Sequence, residues 1–180
     1  MTIIKSTLPY NSLLNQTDKK YDYVDSFQGS IVNNSNKLNS TDICRAFFSS
    51  APKWVDKLMG FRNKMVAVFG LKTSGGTVGK QRALDNLKCE KGEKVGIFRI
   101  YDKTENEIIL GEDDKHLDFR VSLYSEESKF VQQETKLTIS TCVVFKNWLG
   151  RLYFLPVRIF HRLIVPTMLK AMIRELSQSH

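Results

Sequence analysis

The chain has 180 residues, of which 42% are hydrophobic and 26% are charged. This composition is typical of a globular domain and excludes wholesale disorder and fibrous repeats. Lys and Arg outnumber Asp and Glu by 27 to 19, for a net charge of +8, which favours anionic partners. No nucleic-acid-binding motif accompanies the charge, so no nucleic-acid partner is expected.

The N-terminal third predicts an arm, a strand and two short helices. Residues 1–20 are polar and predict a flexible arm, so the single domain is expected over residues 21–176. Residues 21–32 alternate in polarity and predict a first strand, with Tyr23, Asp25 and Phe27 on one side. Ser40 or Thr41 can cap a first short helix. A helical stripe from Trp54 to Val68, with Gly70 as its C-terminal cap, predicts a second helix.

The remainder predicts an antiparallel meander followed by one long helix. Four segments alternate with a period of two, namely residues 95–101, 107–112, 117–124 and 135–145. Residues 147–176 predict a long helix that Pro156 and Pro166 kink or break. The order of elements predicts an α+β fold in which a curved antiparallel sheet lies against the long C-terminal helix and encloses a core or an apolar cavity.

Cysteine usage and hydropathy indicate a cytoplasmic protein. Cys44, Cys89 and Cys142 lie far apart and form no metal-binding or disulfide pattern, so buried free thiols and no metal or cofactor are expected. No secretory signal is visible. The apolar region at residues 148–172 carries arginines, and each charge at a bilayer centre costs roughly 2.5–3.5 kcal/mol, so no transmembrane segment is predicted.

Two groups of titratable residues are the candidates for chemistry. An acidic cluster consists of Glu112, Asp113, Asp114, His116 and Asp118. Its members Asp114, His116 and Asp118 would project from one face of an extended strand, where the carboxylates could orient His116 as a general base or the three together could bind a hard cation. A basic stripe on the long helix consists of Arg151, Arg158, His161 and Arg162. Three alternatives stay open for this stripe: ion pairs with the acidic cluster that clamp helix to sheet, a grip on the anionic head of an apolar ligand, or a solvated or lipid-facing surface.

Several motifs resemble those of the DUF2867 family, an uncharacterised bacterial group placed near the Bet v 1-like, START and polyketide-cyclase superfamily (SRPBCC). The stretches that carry the resemblance are residues 52–55, 58–59, 62–63, 69–72, 111–120, 147–151, 153–154 and 160–166. The resemblance implies a helix-grip fold, in which the curved sheet wraps around the long helix and two short helices follow the first strand. It leaves the activity undefined, because this superfamily includes carriers, receptors and enzymes.

These observations favour a non-catalytic protein that binds a small, mainly apolar or amphiphilic molecule in an internal cavity. The residues expected to bind this molecule are Arg151, Arg158, Arg162, Trp54, Phe119 and Phe160. One alternative is an enzyme of the cyclase or dehydratase kind, with His116, Asp114, Asp118 or His161 as acid and base. A second is an interaction module with a filled core.

Overall fold

The computed structural model describes residues 2–16, 18–32, 38–52, 54, 87–128, 131 and 133–178. These residues form one antiparallel sheet with a short and a long helix. The elements are β1 (Ile4–Ser6), β2 (Tyr23–Val32), α1 (Ser40–Ser49), β3 (Lys94–Val95), β4 (Phe98–Lys103), β5 (Glu107–Asp113), β6 (Leu117–Glu127), β7 (Glu134–Phe145) and α2 (Trp148–Gln178). The predicted second helix lies outside this part of the chain, apart from Trp54.

The sheet consists of the strand pair β1–β2 and the meander β3–β7, and the pairing of β2 with β7 joins the two parts. Its seven strands follow the order β1-β2-β7-β6-β5-β4-β3, and every neighbouring pair is antiparallel. The predicted strand at residues 95–101 is divided between β3 and β4 at Gly96, whose φ of 60° is a turn conformation that glycine adopts without strain. The α+β class with an antiparallel sheet and a long C-terminal helix is confirmed.

Alternation of side chains gives the sheet an inner face that α2 covers and an outer face. Leu117, Phe119, Val121 and Leu123 of β6 face inward, as predicted, together with Ile139 of β7. Asp118, Arg120 and Ser122 occupy the alternate positions of β6. The inner face and the helices bury most of the core, which includes Ile43, Phe47, Leu110, Leu169 and Met172.

The N-cap of helix α1 lies one residue before Ser40, the earlier of the two caps that the sequence predicts. The side chain of Asn39 accepts hydrogen bonds from the backbone N–H groups of Thr41 and Asp42 and is therefore the N-cap. The Ser40 hydroxyl donates instead to the carbonyl of Thr104, at 2.5 Å. This contact ties the start of α1 to the turn between β4 and β5.

Helix α2 is one continuous helix of 31 residues that contains both Pro156 and Pro166. Of the two effects predicted for the prolines, a kink or a break, the break is wrong. Each proline removes the hydrogen bond to the carbonyl four residues earlier, at Leu152 and Arg162, and both of these residues are exposed, so that water can solvate the freed carbonyls. By length and apolar composition α2 could cross a membrane, but a single helix of this kind is weak evidence for a membrane span. Of its most apolar stretch, 28% is buried in the fold.

The N-terminal segment covers the outer face of the sheet, which corrects the prediction of a flexible arm. Strand β1 pairs with β2, and Ser12 and Leu14 are buried. Leu14 packs with Ile109 and Cys142 in an apolar cluster that is separate from the main core. The buried Glu107 carboxylate binds the same segment, because it accepts hydrogen bonds from the Ser12 hydroxyl at 2.5 Å and from the Leu13 N–H at 2.7 Å. The polar average composition of residues 1–20 does not reveal these few buried contacts.

The three cysteines are buried and free, as predicted. Burial, reinforced by the charge of Asp25, raises the pKa of the Cys142 thiol to about 12, so this thiol stays protonated and unreactive at neutral pH.

Candidate functional site

The predicted acid–base group at Asp114, His116 and Asp118 does not share one strand face. Asp114 and His116 lie in the turn between β5 and β6, and only Asp118 lies in a strand. Asp118 forms an ion pair with Lys146 at 2.6 Å. The two-residue spacing therefore predicted the wrong geometry, because the hairpin turns inside the segment that the sequence presents as extended.

His116 is buried against the start of α2 and has a structural role there. The amide nitrogen of the Asn147 side chain lies 3.0 Å from His116 Nδ1, and the amide oxygen of the same side chain accepts a hydrogen bond from the N–H of Gly150 at 3.1 Å. The Lys146 N–H donates to the carbonyl of His116 at 2.9 Å. These bonds join the β5–β6 turn to the N-terminus of α2.

The acidic cluster is shared among cations of the sheet rather than those of the helix. Glu112 lies 2.8 Å from Lys94, and Asp113 lies 2.6 Å from Arg120. Burial opposes ionisation of Asp113, but the hydrogen bond and charge of Arg120 outweigh it and lower the pKa of this carboxyl. Ion pairs between this cluster and the helical basic stripe are one of the three alternatives that the sequence leaves open, and these contacts favour the cations of the sheet instead.

The acids that meet the basic stripe lie just before β2 and near its start, at Asp22 and Asp25. Arg151 lies 3.2 Å from Asp22, and His161 Nδ1 lies 3.3 Å from Asp25 Oδ2. Arg158 is exposed and stands over the ring of Tyr23, with its guanidinium carbon 5.5 Å from the ring centroid. The stripe therefore contacts the start of β2, where the two acids are three residues apart and form no dense acidic cluster in the sequence.

Tyr23, Asp25, Thr141 and His161 form a polar group between the sheet and α2, which we call the Asp25 site; Asp25 and Thr141 are buried, and Tyr23 and His161 are half-buried. The Tyr23 hydroxyl donates to Asp25 Oδ2 at 2.5 Å, the oxygen that also faces His161. Asp25 and Thr141 are directly opposite each other on β2 and β7, so their side chains lie on the same face. Antiparallel pairing therefore brings together residues that are distant in the sequence.

Two oxygens of the Asp25 site have no hydrogen-bond partner within the part of the chain that the structure describes. They are Asp25 Oδ1 and Thr141 Oγ1, and their residues are only 7% and 4% exposed. Leaving a buried polar atom unpaired costs about 1–3 kcal/mol, and native proteins rarely contain such atoms. The site thus has unused capacity for one hydrogen bond to a carboxylate and one to a hydroxyl.

The environment of the Asp25 site keeps Asp25 charged and Tyr23 neutral. Burial opposes the charge of Asp25, yet the hydrogen bonds from His161 and Tyr23 and the nearby charge of Arg162 together lower its pKa. Burial, followed by the hydrogen bond and the charge of Asp25, raises the pKa of Tyr23 to about 12, against the opposing effect of Arg162.

Apolar residues surround this polar pair on the inner face. Phe27 follows Asp25 on the same side of β2, and Ile139 and Val143 flank Thr141 on β7. Val121 of β6 is directly opposite Thr141. A molecule bound here would therefore meet the few polar groups of the Asp25 site and, beside them, a hydrocarbon surface, the composition that is usual for small-molecule sites.

The predicted aromatic contacts are divided between surface and interior. Trp54 and Phe160 are 39% and 38% exposed. Phe119 is partly buried at the junction of the two inner clusters, with its ring centroid 5.8 Å from that of Phe98. The described residues include no group of three or more His, Cys, Asp or Glu that could hold a metal ion.

Asp25, Tyr23 and Thr141 are the site residues that sequence reasoning missed. One signal was available for Asp25, because a carboxylate interrupts the series Tyr23, Asp25, Phe27 on a side of β2 that is otherwise apolar. A charged residue at an inward position needs a partner. The sequence did not identify the partner, since His161 was assigned to a helical stripe and Thr141 resembles any strand threonine.

The family model described as "Protein of unknown function (DUF2867)" matches residues 18–168. No curated protein and no solved structure matches the chain.

Proposed function

The chain belongs to the DUF2867 family, whose function is unknown, and we propose that it binds a small, mainly apolar molecule at the Asp25 site without transforming it. The molecule would lie between the inner face of the sheet and α2, in the arrangement of a helix-grip fold. The antiparallel sheet and long C-terminal helix are compatible with this fold. The observation that carries the proposal is the pair of unpartnered oxygens, Asp25 Oδ1 and Thr141 Oγ1.

The chemistry of these two atoms favours a ligand with a hydroxyl group. A hydroxyl can donate to the Asp25 carboxylate and accept from the Thr141 hydroxyl at the same time. An anionic head, which the arginines of the helix suggested, would meet the negative charge of Asp25. Arg151 is also already paired with Asp22. The rest of the ligand would be apolar, to match Phe27, Ile139 and Val143.

One observation favours a second candidate function, an acid–base enzyme of the cyclase or dehydratase kind. His161 Nδ1 faces the Asp25 carboxylate at 3.3 Å. If this nitrogen carries the proton, the other ring nitrogen, Nε2, holds a lone pair and can act as a general base. The aspartate would then orient the imidazole and stabilise its charged form.

The experiment compares the threonine variants Thr141→Val and Thr138→Val. Thr138 is also buried in β7, but its hydroxyl accepts a hydrogen bond from Gln28 at 3.1 Å. Because Thr141→Val removes an unpaired hydroxyl, it should stabilise the ligand-free protein by about 1 kcal/mol, whereas Thr138→Val should destabilise it by a similar amount. Urea unfolding measures both changes.

Ligand binding should be lost in Thr141→Val and retained in Thr138→Val. Native mass spectrometry of protein expressed in its own host should show a bound small molecule in the wild type and in Thr138→Val, and not in Thr141→Val. Titration calorimetry with 2-naphthol, 2-methylnaphthalene and 2-naphthoate provides a defined comparison, in which 2-naphthol should bind most tightly. Absence of any bound molecule together with no binding of 2-naphthol would refute the proposal. Chemical conversion of the bound molecule that stops in His161→Gln would replace it with the enzymatic alternative.

A further inference from the structure

The first half of α2 carries an apolar stripe on its outward side. Its five members, which we call the outer stripe, are 69%, 47%, 60%, 67% and 62% exposed: Trp148, Leu152, Leu155, Ile159 and Leu163. Contiguous exposed apolar surface of this kind is unusual in a monomeric protein and marks an interaction surface.

Helical geometry makes the outer stripe one continuous surface. At 100° per residue its five side chains fall within about 80° of the helix circumference, over a length of about 22 Å. The side chains of Tyr153, Phe154 and Val157 pack against the sheet on the opposite side. The first half of α2 is therefore apolar on both sides, although only one side is needed to attach it to the fold.

The second half of α2 has the ordinary pattern of a surface helix. Met168, Leu169 and Met172 are buried, and the exposed positions are Lys170, Arg174, Ser177 and Gln178. The outer stripe is thus local, and a general excess of apolar residues in the helix does not explain it.

Arginines border the outer stripe on one side. Arg151, Arg158 and Arg162 fall within about 40° of one another at 100° per residue, next to the apolar positions, and all three are exposed. The sequence contains no Asp or Glu from Trp148 to Arg174. An exposed apolar surface with a cationic border and a terminal Trp is the pattern of a helix that lies in the interface of an anionic bilayer.

From this combination we infer that the outer stripe docks the protein onto the surface of a membrane that contains anionic lipid. The apolar side chains enter the boundary between headgroups and acyl chains, and the arginines contact the lipid phosphates. The helix lies on the membrane and does not cross it, because crossing would detach Tyr153, Phe154 and Met172 from the sheet. This inference goes beyond the proposed ligand function and does not require that a ligand binds at the Asp25 site.

A second copy of the chain with its helix antiparallel fits the outer stripe less well than a membrane does. In a two-fold dimer with these helices antiparallel and face to face, the arginine borders of both copies would lie along the same side of the interface. Like charges placed side by side oppose association, whereas lipid phosphates neutralise them.

Vesicle co-sedimentation of the full-length protein tests the inference. Binding should be strong to vesicles of mixed phosphatidylcholine and phosphatidylglycerol, weak to phosphatidylcholine alone, and reduced by salt. The double variant Leu155→Gln/Ile159→Gln should lose affinity for the mixed vesicles by about a hundredfold or more, since each leucine or isoleucine side chain buried in the membrane contributes about a factor of ten or more.

Two control variants, one for the apolar residues and one for the arginines, show whether a loss of vesicle binding is specific to α2. Val32→Gln/Val131→Gln replaces two exposed apolar residues elsewhere and should bind the vesicles as the wild type does. Arg158→Gln should weaken binding about fivefold, whereas Lys91→Gln, which removes the same charge from an exposed residue outside α2, should change it much less. Circular dichroism checks that each variant is folded.

Three results would overturn the inference. One is equal vesicle binding by the wild type and the Leu155→Gln/Ile159→Gln variant. Another is a dimer in analytical ultracentrifugation that this variant dissociates, with no vesicle binding, which would assign the outer stripe to self-association. The third is membrane attachment in cells that resists both high salt and alkaline extraction, which would identify a spanning helix.

Discussion

Asp25 is a charged residue on an apolar sheet face, and its neighbours maintain the charge. Burial opposes ionisation, but hydrogen bonds from His161 and Tyr23 and the charge of Arg162 lower the pKa of the carboxyl. A carboxyl whose pKa is lower in the folded than in the unfolded protein stabilises the fold above its unfolded pKa of about 3.9, and this contribution is lost as the pH falls through the folded pKa.

The variant Asp25→Asn should therefore lose stability in a pH-dependent way. Near pH 7 we expect its free energy of unfolding to be about 1–3 kcal/mol below that of the wild type, since hydrogen bonds to a charged group are lost. The difference should shrink below about pH 4, where the carboxyl of the unfolded wild type is protonated. Urea unfolding at a series of pH values measures it.

Asp102→Asn is the matched control for this experiment. Asp102 is exposed and forms a 3.7 Å ion pair with the exposed Lys91, so its loss should change stability by less than about 0.5 kcal/mol at any pH. A difference between wild type and Asp25→Asn that stayed constant from neutral to acidic pH would contradict the assigned role of the carboxylate charge.

At the scale of elements, the start of α2 packs so closely on the β5–β6 turn that Gly150 has no room for a side chain. A Cβ atom at this position would lie 2.2 Å from the carbonyl oxygen of His116, which is a backbone atom. At Gly29 the nearest atoms, at 2.6 and 2.7 Å, are the flexible ends of the Ile3 and Ile173 side chains. The two glycines thus resist substitution to different degrees.

Gly150→Ala should destabilise the protein although alanine is the better helix former. Intrinsic propensity favours alanine by about 1 kcal/mol, but the displaced backbone should cost more, leaving a net loss of about 1–3 kcal/mol. Gly29→Ala, where side chains can move, should change stability by less than about 1 kcal/mol. Thermal unfolding compares them, and a gain in stability for Gly150→Ala would show that α2 does not contact the turn this closely.

The elements were more predictable than their contacts. Alternation in β2, β5, β6 and β7 and the long apolar segment of α2 are local signals, and the structure follows them closely. The position of Asp114 and His116 in a turn depends on hairpin geometry, and the contact between His161 and Asp25 depends on how α2 lies across the sheet. Spacing along the sequence contains neither kind of information.

At the scale of the whole molecule, the N-terminal segment closes the outer face of the sheet. Ser12, Leu13 and Ser122 donate hydrogen bonds to the buried Glu107 carboxylate. Sequence reasoning predicted a flexible arm because residues 1–20 are polar on average, whereas the interaction depends on a few positions, above all Ser12 and Leu14.

Ser12→Ala should weaken this closure. The carboxylate of Glu107 would keep its charge in a buried position with one donor fewer, so the free energy of unfolding should fall by about 1–3 kcal/mol. Ser49→Ala is the control, because that hydroxyl donates to Glu175 in an exposed position and its loss should cost less than about 0.5 kcal/mol. Chemical denaturation distinguishes the two, and equal effects would mean that the N-terminal segment contributes no more than a surface contact does.

The insertion of β7 between β2 and β6 has a consequence for synthesis on the ribosome. Tyr23 of β2 pairs with Val143 of β7, so the first long strand is translated far ahead of its main partner. Until residues 134–145 have emerged, the nascent chain presents two open strand edges, on β2 and β6, and such edges readily recruit other chains. The early strand β2 therefore lacks its main partner until β7 has been made. Slow translation or premature termination before β7 should lead to aggregation rather than to a stable, partly folded intermediate.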